Sequence, residues 1–544
     1  MSEGAISDFV RTRRIIGRDT AVVALVSIAI QILYLIVSPI SINGYGGAYL
    51  LVARYFGGDP KGGFLPFRPP CYPLFLLAGG LTWLHSFGLI IALQAGMGAA
   101  CPLFAFAALR DVSRKAAVGA ALLLAFSGIP FAYAKSLNAE HVFLFWLLAV
   151  TAAFARFLAT KRSLYAALAT GSGFMAMMTR NEGLYVAVLA VLAMMWSAWG
   201  NRRRLRAVVL SAAVAVALVI AWSACRALIL GNPSLFGALD ASPGVQLFAR
   251  VYWQTEPSAG FWRCMIHTPP GTECGGSHMV LVRPENGAAT RRLAQLIHNW
   301  AARSGYEPDS FVADYFARPM DTSRVDKLSL TYTETVQYLG YRGSADLLLR
   351  TTWEAARAHP EVWLSVADAV AWYFGVSLEN LAYRLKTPEH AGAVLFANWQ
   401  EEPDDALPEN IARGTLTPPL WRAYQTARAQ PTAPFEQRLR TMGQTARSYV
   451  RNAVGLALLV TWPALFWIRP RALALFLLLV TAMMLGIYAM CDTYNTRFEH
   501  IVLPFMIMAA ALAVNRLALR FGRMIPSKSG SSWSALFRPS RPLN

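Results

Sequence analysis

Six cations stand beside acids and glycines in the short polar stretches that separate long apolar runs. Residues 43–73, NGYGGAYLLVARYFGGDPKGGFLPFRPPCYP, carry Arg54, Lys61 and Arg68 with Asp59 as their lone acid. Lys135 lies in YAKSLNAEH with Glu140 and His141, and Arg180 lies in MMTRNEGL with Glu182. Arg497 lies in CDTYNTRFEH with Asp492, Tyr494, Glu499 and His500. A guanidinium donates two parallel hydrogen bonds to a phosphate. A carboxylate beside it can take the proton of an attacking hydroxyl while cations stabilise a departing phosphate. Taken singly, each cation is equally a side chain snorkelling to lipid headgroups. Each acid is equally an ion-pair partner or, for Glu140, a charge at a helix start. Gathered on one face, the cations suit a shared anionic ligand such as the phosphate of a lipid carrier.

The elements that must position these residues are membrane helices. The chain of 544 residues is 55% hydrophobic and 15% charged, against about 25% charged for a soluble domain. Apolar runs at 21–38, 89–109, 116–133, 142–159, 163–179, 183–199, 207–230, 452–468, 472–490 and 498–515 predict about ten transmembrane helices, each long enough to cross, or nearly cross, ~30 Å of hydrocarbon. Clusters at Arg11–Arg18, Arg110–Lys115, Lys161–Arg162, Arg202–Arg206, Arg469–Arg471 and Arg516–Arg523 occupy alternate short loops. By the positive-inside rule both termini are cytoplasmic. The net charge of +19 is therefore topological, and no basic face interleaved with stacking aromatics points to nucleic acid. Residues 71–85, CYPLFLLAGGLTWLH, are too short to span and read as an interfacial helix in the first outward loop. The alternative is that they pair with a broken 89–109 to cross more than once.

The expected organisation is a transmembrane module over 1–230, a mainly helical outward domain over 231–451, C-terminal transmembrane helices over 452–515 and a basic cytoplasmic tail over 516–544. Helical periodicity marks 287–303, 344–358 and 361–385, the last as an amphipathic helix lying on the membrane, while 400–445 reads as a loose return. Cys264 and Cys274, in WRCMIHTPPGTEC, are a disulfide candidate for an oxidising compartment. Cys101 and Cys225 read as small buried residues, and no Cys/His spacing resembles a metal site.

The order of several segments resembles the GT-C membrane glycosyltransferases, particularly the branch of protein O-mannosyltransferases and the lipid A aminoarabinose transferase. These are Tyr49-x-x-x-Ala53 with Gly57-Gly58, FRPPCYPLFL at 67–76, SLNAEHVFLF at 136–145, GSGFMAMMTRNEGL at 171–184, RAHPEVWL at 357–364 and RFEHIVLP at 497–504. The resemblance implies a multi-pass protein of a bacterial inner membrane with its active site facing the periplasm. It further implies inverting transfer of a sugar from a polyprenyl-phosphate donor to a periplasmic glycan, lipid or protein acceptor, usually without a nucleotide sugar, and no cofactor is expected. The family places an acid a few residues before the position of Tyr49, but here 43–48 reads Asn43, Gly44, Tyr45, Gly46, Gly47, Ala48. Asp59 and Glu140 are then the candidate catalytic acids, unless the base comes from the outward domain or catalysis is lost. Arg54, Lys61, Arg68, Lys135, Arg180 and Arg497 are the candidate lipid-phosphate ligands. Asn43, Tyr49, His141, Glu182, Tyr494, Glu499 and His500 are candidate supports.

Three other classes compete. A secondary transporter should hold ionisable groups near the midplane and show a repeat, whereas these spans carry Gln31 and Gln94 and almost no charge. An O-antigen ligase or polymerase also combines many spans with a large outward loop. A non-catalytic polyprenyl-glycan binding protein would account for Asn43. The orientation itself is testable: a cysteine placed at Ser310 should react with an impermeant maleimide added outside, and one at Ser163 should not. Reversed labelling would invert the topology.

Overall fold

A computed structural model of the chain describes residues 3–38, 40–42, 44–59, 61–62, 68–81, 84–230, 247–248, 251–252, 261–264, 281–317, 327–374, 376, 378, 382, 416–429, 434–491 and 496–524. Apolar runs cannot leave backbone N–H and C=O groups unpaired in hydrocarbon, so they satisfy them internally as helices. The described residues accordingly form an all-α polytopic architecture whose one extended feature is an isolated bridge, Ser41 to Ser136.

The helices used below are α1 (Glu3–Val37), α2 (Gly44–Phe56), α3 (Cys71–Ala78), α4 (Gly88–Leu109), α5 (Arg114–Phe126), α6 (Ile129–Ala132), α7 (Ala139–Thr160), α8 (Ser163–Thr179), α9 (Gly183–Ala198) and α10 (Arg202–Leu230). They continue as α11 (Ala288–Arg303), α12 (Pro308–Ala317), α13 (Lys327–Ala358), α14 (Glu361–Tyr373), α15 (Pro418–Ala429), α16 (Pro434–Thr461), α17 (Arg471–Cys491) and α18 (Thr496–Met524). Among the described residues seven helices are long and apolar enough to cross a membrane, within α1, α4, α7, α10, α16, α17 and α18. The other three expected spans are shorter: α5 has 13 residues, α8 has 17 and α9 has 16. The expected 116–133 span is divided because Gly128 adopts a left-handed backbone, φ 70°, between α5 and α6. A side chain there would also overlap the Tyr34 hydroxyl, and the same hydroxyl lies 2.8 Å from where a Cβ on Gly443 of α16 would stand.

The chain divides into two compact units, one of residues 1–219, 399–482 and 497–544 and one of 220–398 and 483–496. In the first unit, Ile42, Tyr49, Tyr72, Leu76, Ile90, Leu137 and Val142 pack in one apolar cluster with Leu420 and Tyr424 of α15. This corrects the reading of 400–445 as a loose return: residues 418–429 and 434–445 are helical, because α15 buries an apolar stripe and α16 runs unbroken into the eighth predicted span. Cys101 is buried as expected, but Cys225 is exposed on α10, among the unburied Val214, Val216, Leu218 and Ile220 that suit a lipid-facing helix.

The second unit has its own core, in which Tyr252, Leu293, Ile297, Tyr315, Leu348 and Val362 are buried together. The helix expected over 287–303 is α11, and its start is held by Glu354, whose carboxylate accepts the Ala289 and Thr290 N–H groups, each at 2.9 Å. That placement matches negative charge to the positive end of a helix and leaves Glu354 below the usual carboxylate range, since these hydrogen bonds outweigh the opposing effect of burial. Helix α13 kinks at Gly340, φ 67°, so its last turns correspond to the expected 344–358 helix. The segment expected as a helix over 361–385 is described as α14 over 361–373.

Replacing Gly128 by Ala should lower the stability of the folded protein by about 1–3 kcal/mol, from strain at positive φ and overpacking against Tyr34. Thermal unfolding in detergent would register this, and Tyr34→Leu in the same chain should recover part of the loss.

Candidate functional site

The site is assembled where α1 ends and α7 begins. The chain leaving α1 lies beside the residues before α7: Ser41 N–H donates to the Lys135 carbonyl at 3.2 Å, and Leu137 N–H donates to the Ser41 carbonyl at 3.0 Å. Gln94, wholly buried on α4, holds this turn from beneath. Its Nε2 donates to the carbonyls of Tyr133 (3.3 Å), Ala134 (3.0 Å) and Ser136 (3.0 Å), and its Oε1 accepts from the Tyr72 hydroxyl of α3 at 3.1 Å. The Gln94 main-chain carbonyl meets His141 Nε2 at 2.6 Å. Thus the first loop, α4 and the start of α7 are fixed to one another through one residue, by its side chain and its main-chain carbonyl.

Asn138 stands at the N-cap of α7, yet its side chain makes no capping hydrogen bond. Both polar atoms of this buried amide, and Oε2 of buried Glu140, lack a hydrogen-bond partner in the structure. The other Glu140 oxygen pairs with Arg180 Nη1, and Arg180 Nη2 pairs with Glu182 Oε1 at 3.0 Å. These contacts bring the end of α8 and the start of α9 to the start of α7. Arg68 lies with its guanidinium 4.9 Å from the centre of the Tyr49 ring, and Tyr49 meets Tyr72 edge-on at 5.2 Å.

Electrostatics ties the same residues together. Burial pushes the Tyr49 phenol up, and although Arg68 and Arg180 oppose this, it stays above its ordinary value and therefore protonated. Burial also pushes Glu182 up, but Arg180 and Arg68 outweigh it and hold the carboxyl below the usual range. Arg68, Arg180, Glu140 and Glu182 make a group of two positive and two negative side chains that includes an unshared carboxylate oxygen.

The remaining expected residues have other partners or lie outside the described residues. Asp59 accepts from Arg54 Nε at 2.8 Å and from Lys61 N–H at 2.9 Å, closing its own turn after α2. The Arg54 hydrogen bond is the main reason its carboxyl sits below the usual range. Both Asp59 oxygens are therefore engaged, whereas Glu140 keeps one free. Lys135 is half-buried, and burial pulls its ammonium down against the attraction of Glu436 on α16. His500 is buried with its ring 4.3 Å from that of Tyr133. Arg497 and Glu499 are in the first turn of α18, but their side chains lie outside the described residues, as do Asn43, Asp492 and Tyr494. Cys264 is disulfide-bonded, and Cys274 also lies outside the described residues.

No protein-family model matches the sequence, and no curated protein matches it. Among solved structures the chain is similar to the archaeal oligosaccharyltransferase AglB from Archaeoglobus fulgidus, in complex with an inhibitory peptide and a dolichol-phosphate. That likeness has 14% identity and a TM-score of 0.40, and covers 96% of this chain and 53% of that one. The chain is also similar to ArnT from Cupriavidus metallidurans bound to undecaprenyl phosphate, with 13% identity, a TM-score of 0.36, and 94% and 82% of the two chains covered. The present chain spans about half the length of the oligosaccharyltransferase.

Sequence reasoning missed two buried arginines on α16, Arg447 and Arg451. Arg447 Nη1 lies 3.4 Å from His500 Nε2, and its Nε lies 3.4 Å from the Ser127 carbonyl. The signal was present as an i, i+4 pair of arginines in line with Gly443, between the 400–445 stretch and the span expected from 452.

Removing Arg180 would leave Glu140 and Glu182 buried beside Arg68 without their direct partner. Arg180→Met should therefore destabilise the protein by roughly 3 kcal/mol or more. Adding Glu140→Met and Glu182→Met should restore much of that loss, measured by thermal unfolding of each variant in the same detergent.

Proposed function

We propose that this protein is a membrane glycosyltransferase. It moves a sugar from a polyprenyl-phosphate carrier to a glycan, lipid or protein acceptor at the periplasmic face of a bacterial inner membrane. The observation that carries the reading is the buried Glu140, held by Arg180 through one oxygen and free at the other. The alternating loop arginines support the orientation, and a disulfide at Cys264 suits an oxidising compartment. The donor class follows from the resemblance of the sequence segments and from Arg68 and Arg180 beside the carboxylate.

In this mechanism the acceptor hydroxyl donates its proton to Glu140 Oε2 while its oxygen attacks the anomeric carbon. The new bond forms on the face opposite the carrier, and the bond from carbon to phosphate oxygen breaks with inversion. The charges of the site change in step. At rest Arg68, Arg180, Glu140 and Glu182 sum to zero; when Glu140 takes the proton, the group becomes positive by one. At the same moment the phosphate passes from diester to monoester and gains one negative charge. A site whose charge rises where negative charge develops stabilises the transition state without reorganising. Asp59, occupied by its own turn, serves to shape the first loop. In this reading the buried, unpartnered amide of Asn138 binds a sugar hydroxyl.

The lack of an acid at 43–48 favours a second reading, in which the same scaffold binds the carrier without turnover. Purified protein incubated with a labelled polyprenyl-phosphate sugar and an acceptor extract should release free carrier. Glu140→Gln should slow release by about 10²–10⁴-fold while carrier binding persists, and Asp59→Asn should stay near wild-type. Carrier binding with no release by the wild-type protein would establish the binding reading instead.

A further inference from the structure

Helix α14 has the reverse of the polarity that water imposes. Its charged and hydroxyl side chains are turned inward: Glu361 is 6% exposed, Ser365 0% and Asp368 1%. Asp368 Oδ1 accepts the Leu378 N–H at 2.6 Å, and Glu361 Oε1 lies 3.9 Å from Arg263 Nε. The exposed face carries Trp363 (43%), Leu364 (38%) and Ala367, and none of the exposed side chains of α14 is charged. A helix at a water boundary places charge outside and apolar residues inside.

The same face continues onto α13. Leu349, Trp353 and Arg357 follow one another at one-turn spacing, and each is exposed. Trp353 meets Trp363 edge-on with ring centres 6.2 Å apart, so the two helices present one surface. The Arg357 guanidinium lies 5.1 Å from the centre of the Trp353 ring. Arg350, beside Leu349, is balanced by Asp346 at 3.0 Å, which leaves the charge of Arg357 in excess on this face.

A contiguous apolar surface of this kind marks a contact with a partner or a membrane, and the unit itself supplies the neighbour. The second unit includes residues 220–230 and 483–491, the ends of α10 and α17. Both helices are long and apolar enough to cross a membrane. The unit therefore borders hydrocarbon, and a bilayer surface adjoins it permanently. Tryptophan suits that depth, because its ring is apolar and its N–H finds partners among the headgroups. Arg357 beside the rings adds attraction to anionic lipid.

We propose that the joined face of α13 and α14, bearing Leu349, Trp353, Trp363 and Leu364, is a membrane-docking surface lying in the headgroup layer of the bilayer. Trp363 and Leu364 enter the acyl boundary, as the apolar side of an interfacial helix does, and Arg357 meets lipid phosphate. Glu361 and Asp368 are turned inward, so no carboxylate of α14 faces the lipid. Helix α14 is then the described part of the helix whose sequence pattern sets it on the membrane. This surface is independent of the sugar transfer assigned to the first unit.

Full-length protein in proteoliposomes of phosphatidylethanolamine and phosphatidylglycerol should carry p-benzoylphenylalanine in place of Leu349, Trp363 or Leu364, one at a time. Illumination should add the mass of a lipid to the intact protein at each position. The same probe in place of Ser310, exposed in the same unit, should add none. With the probe at Leu349, Trp363→Glu and Leu364→Glu together should cut the lipid adduct by about tenfold, since two apolar contacts with lipid are lost. If that double variant does not fold, the four probe positions decide alone. The surface would be overturned by the absence of adducts at the three positions, by equal lipid adducts at Ser310, or by an adduct at Leu349 that the glutamates leave unchanged. Adducts joined to protein in place of lipid, within this chain or to a second copy, would overturn it as well.

Discussion

One buried amide governs the arrangement of the helix ends in the first unit. Gln94 has two N–H hydrogens facing three carbonyls of the 133–136 turn, and its oxygen takes the Tyr72 hydroxyl. In an apolar surround each of those carbonyls would otherwise carry a desolvation cost of about 1–3 kcal/mol. The turn is therefore held where the amide can reach it, and α3 is held where Tyr72 can. Because the main-chain carbonyl of the same residue receives His141, the position of α7 along α4 is set as well. Glu140 precedes His141, so the acid stands where it does because of a neutral residue on another helix.

The ion group at the start of α7 shows how charge is kept in a poorly solvated place. Isolated buried charges cost several kcal/mol each, and here two arginines are matched by two glutamates. Arg180 is shared between Glu140 and Glu182, which leaves one Glu140 oxygen without work in the resting protein. The first-loop acid has the opposite character. Asp59 is engaged by the backbone and by Arg54 within a few residues of itself, an arrangement that serves the turn.

Much of this was legible in the sequence, to different depths. Apolar run length identified the helices, because hydrocarbon forces backbone pairing whatever the neighbours are. It overstated the 116–133 span, since a lone glycine in an apolar run does not announce a left-handed backbone, nor that Tyr34 fills the place a side chain at Gly128 would take. Glu140 and Arg180 were each recognisable as charges at helix ends. Their pairing, across 40 residues, depends on how α7, α8 and α9 pack and has no local signature. Gln94 was visible as a polar residue in a span, but the loop carbonyls it serves belong to a segment about forty positions away. Arg447 and Arg451 fall between the 400–445 stretch and the apolar run from 452, where no periodic apolar pattern marks the helix that buries them.

The Tyr34 hydroxyl touches both the place where a Gly128 side chain would stand and that of Gly443. Two of these three residues are made early, and the third follows some three hundred residues later. At ribosomal speeds of about 5–20 residues per second, the interval is roughly 15–60 s. A contact formed in that interval between α1 and the α5–α6 corner has one side of Tyr34 uncovered while residues 220–398 of the second unit are synthesised. The contact is thus also a timing constraint: the N-terminal helices have to persist as an unfinished assembly until α16 emerges to close against them.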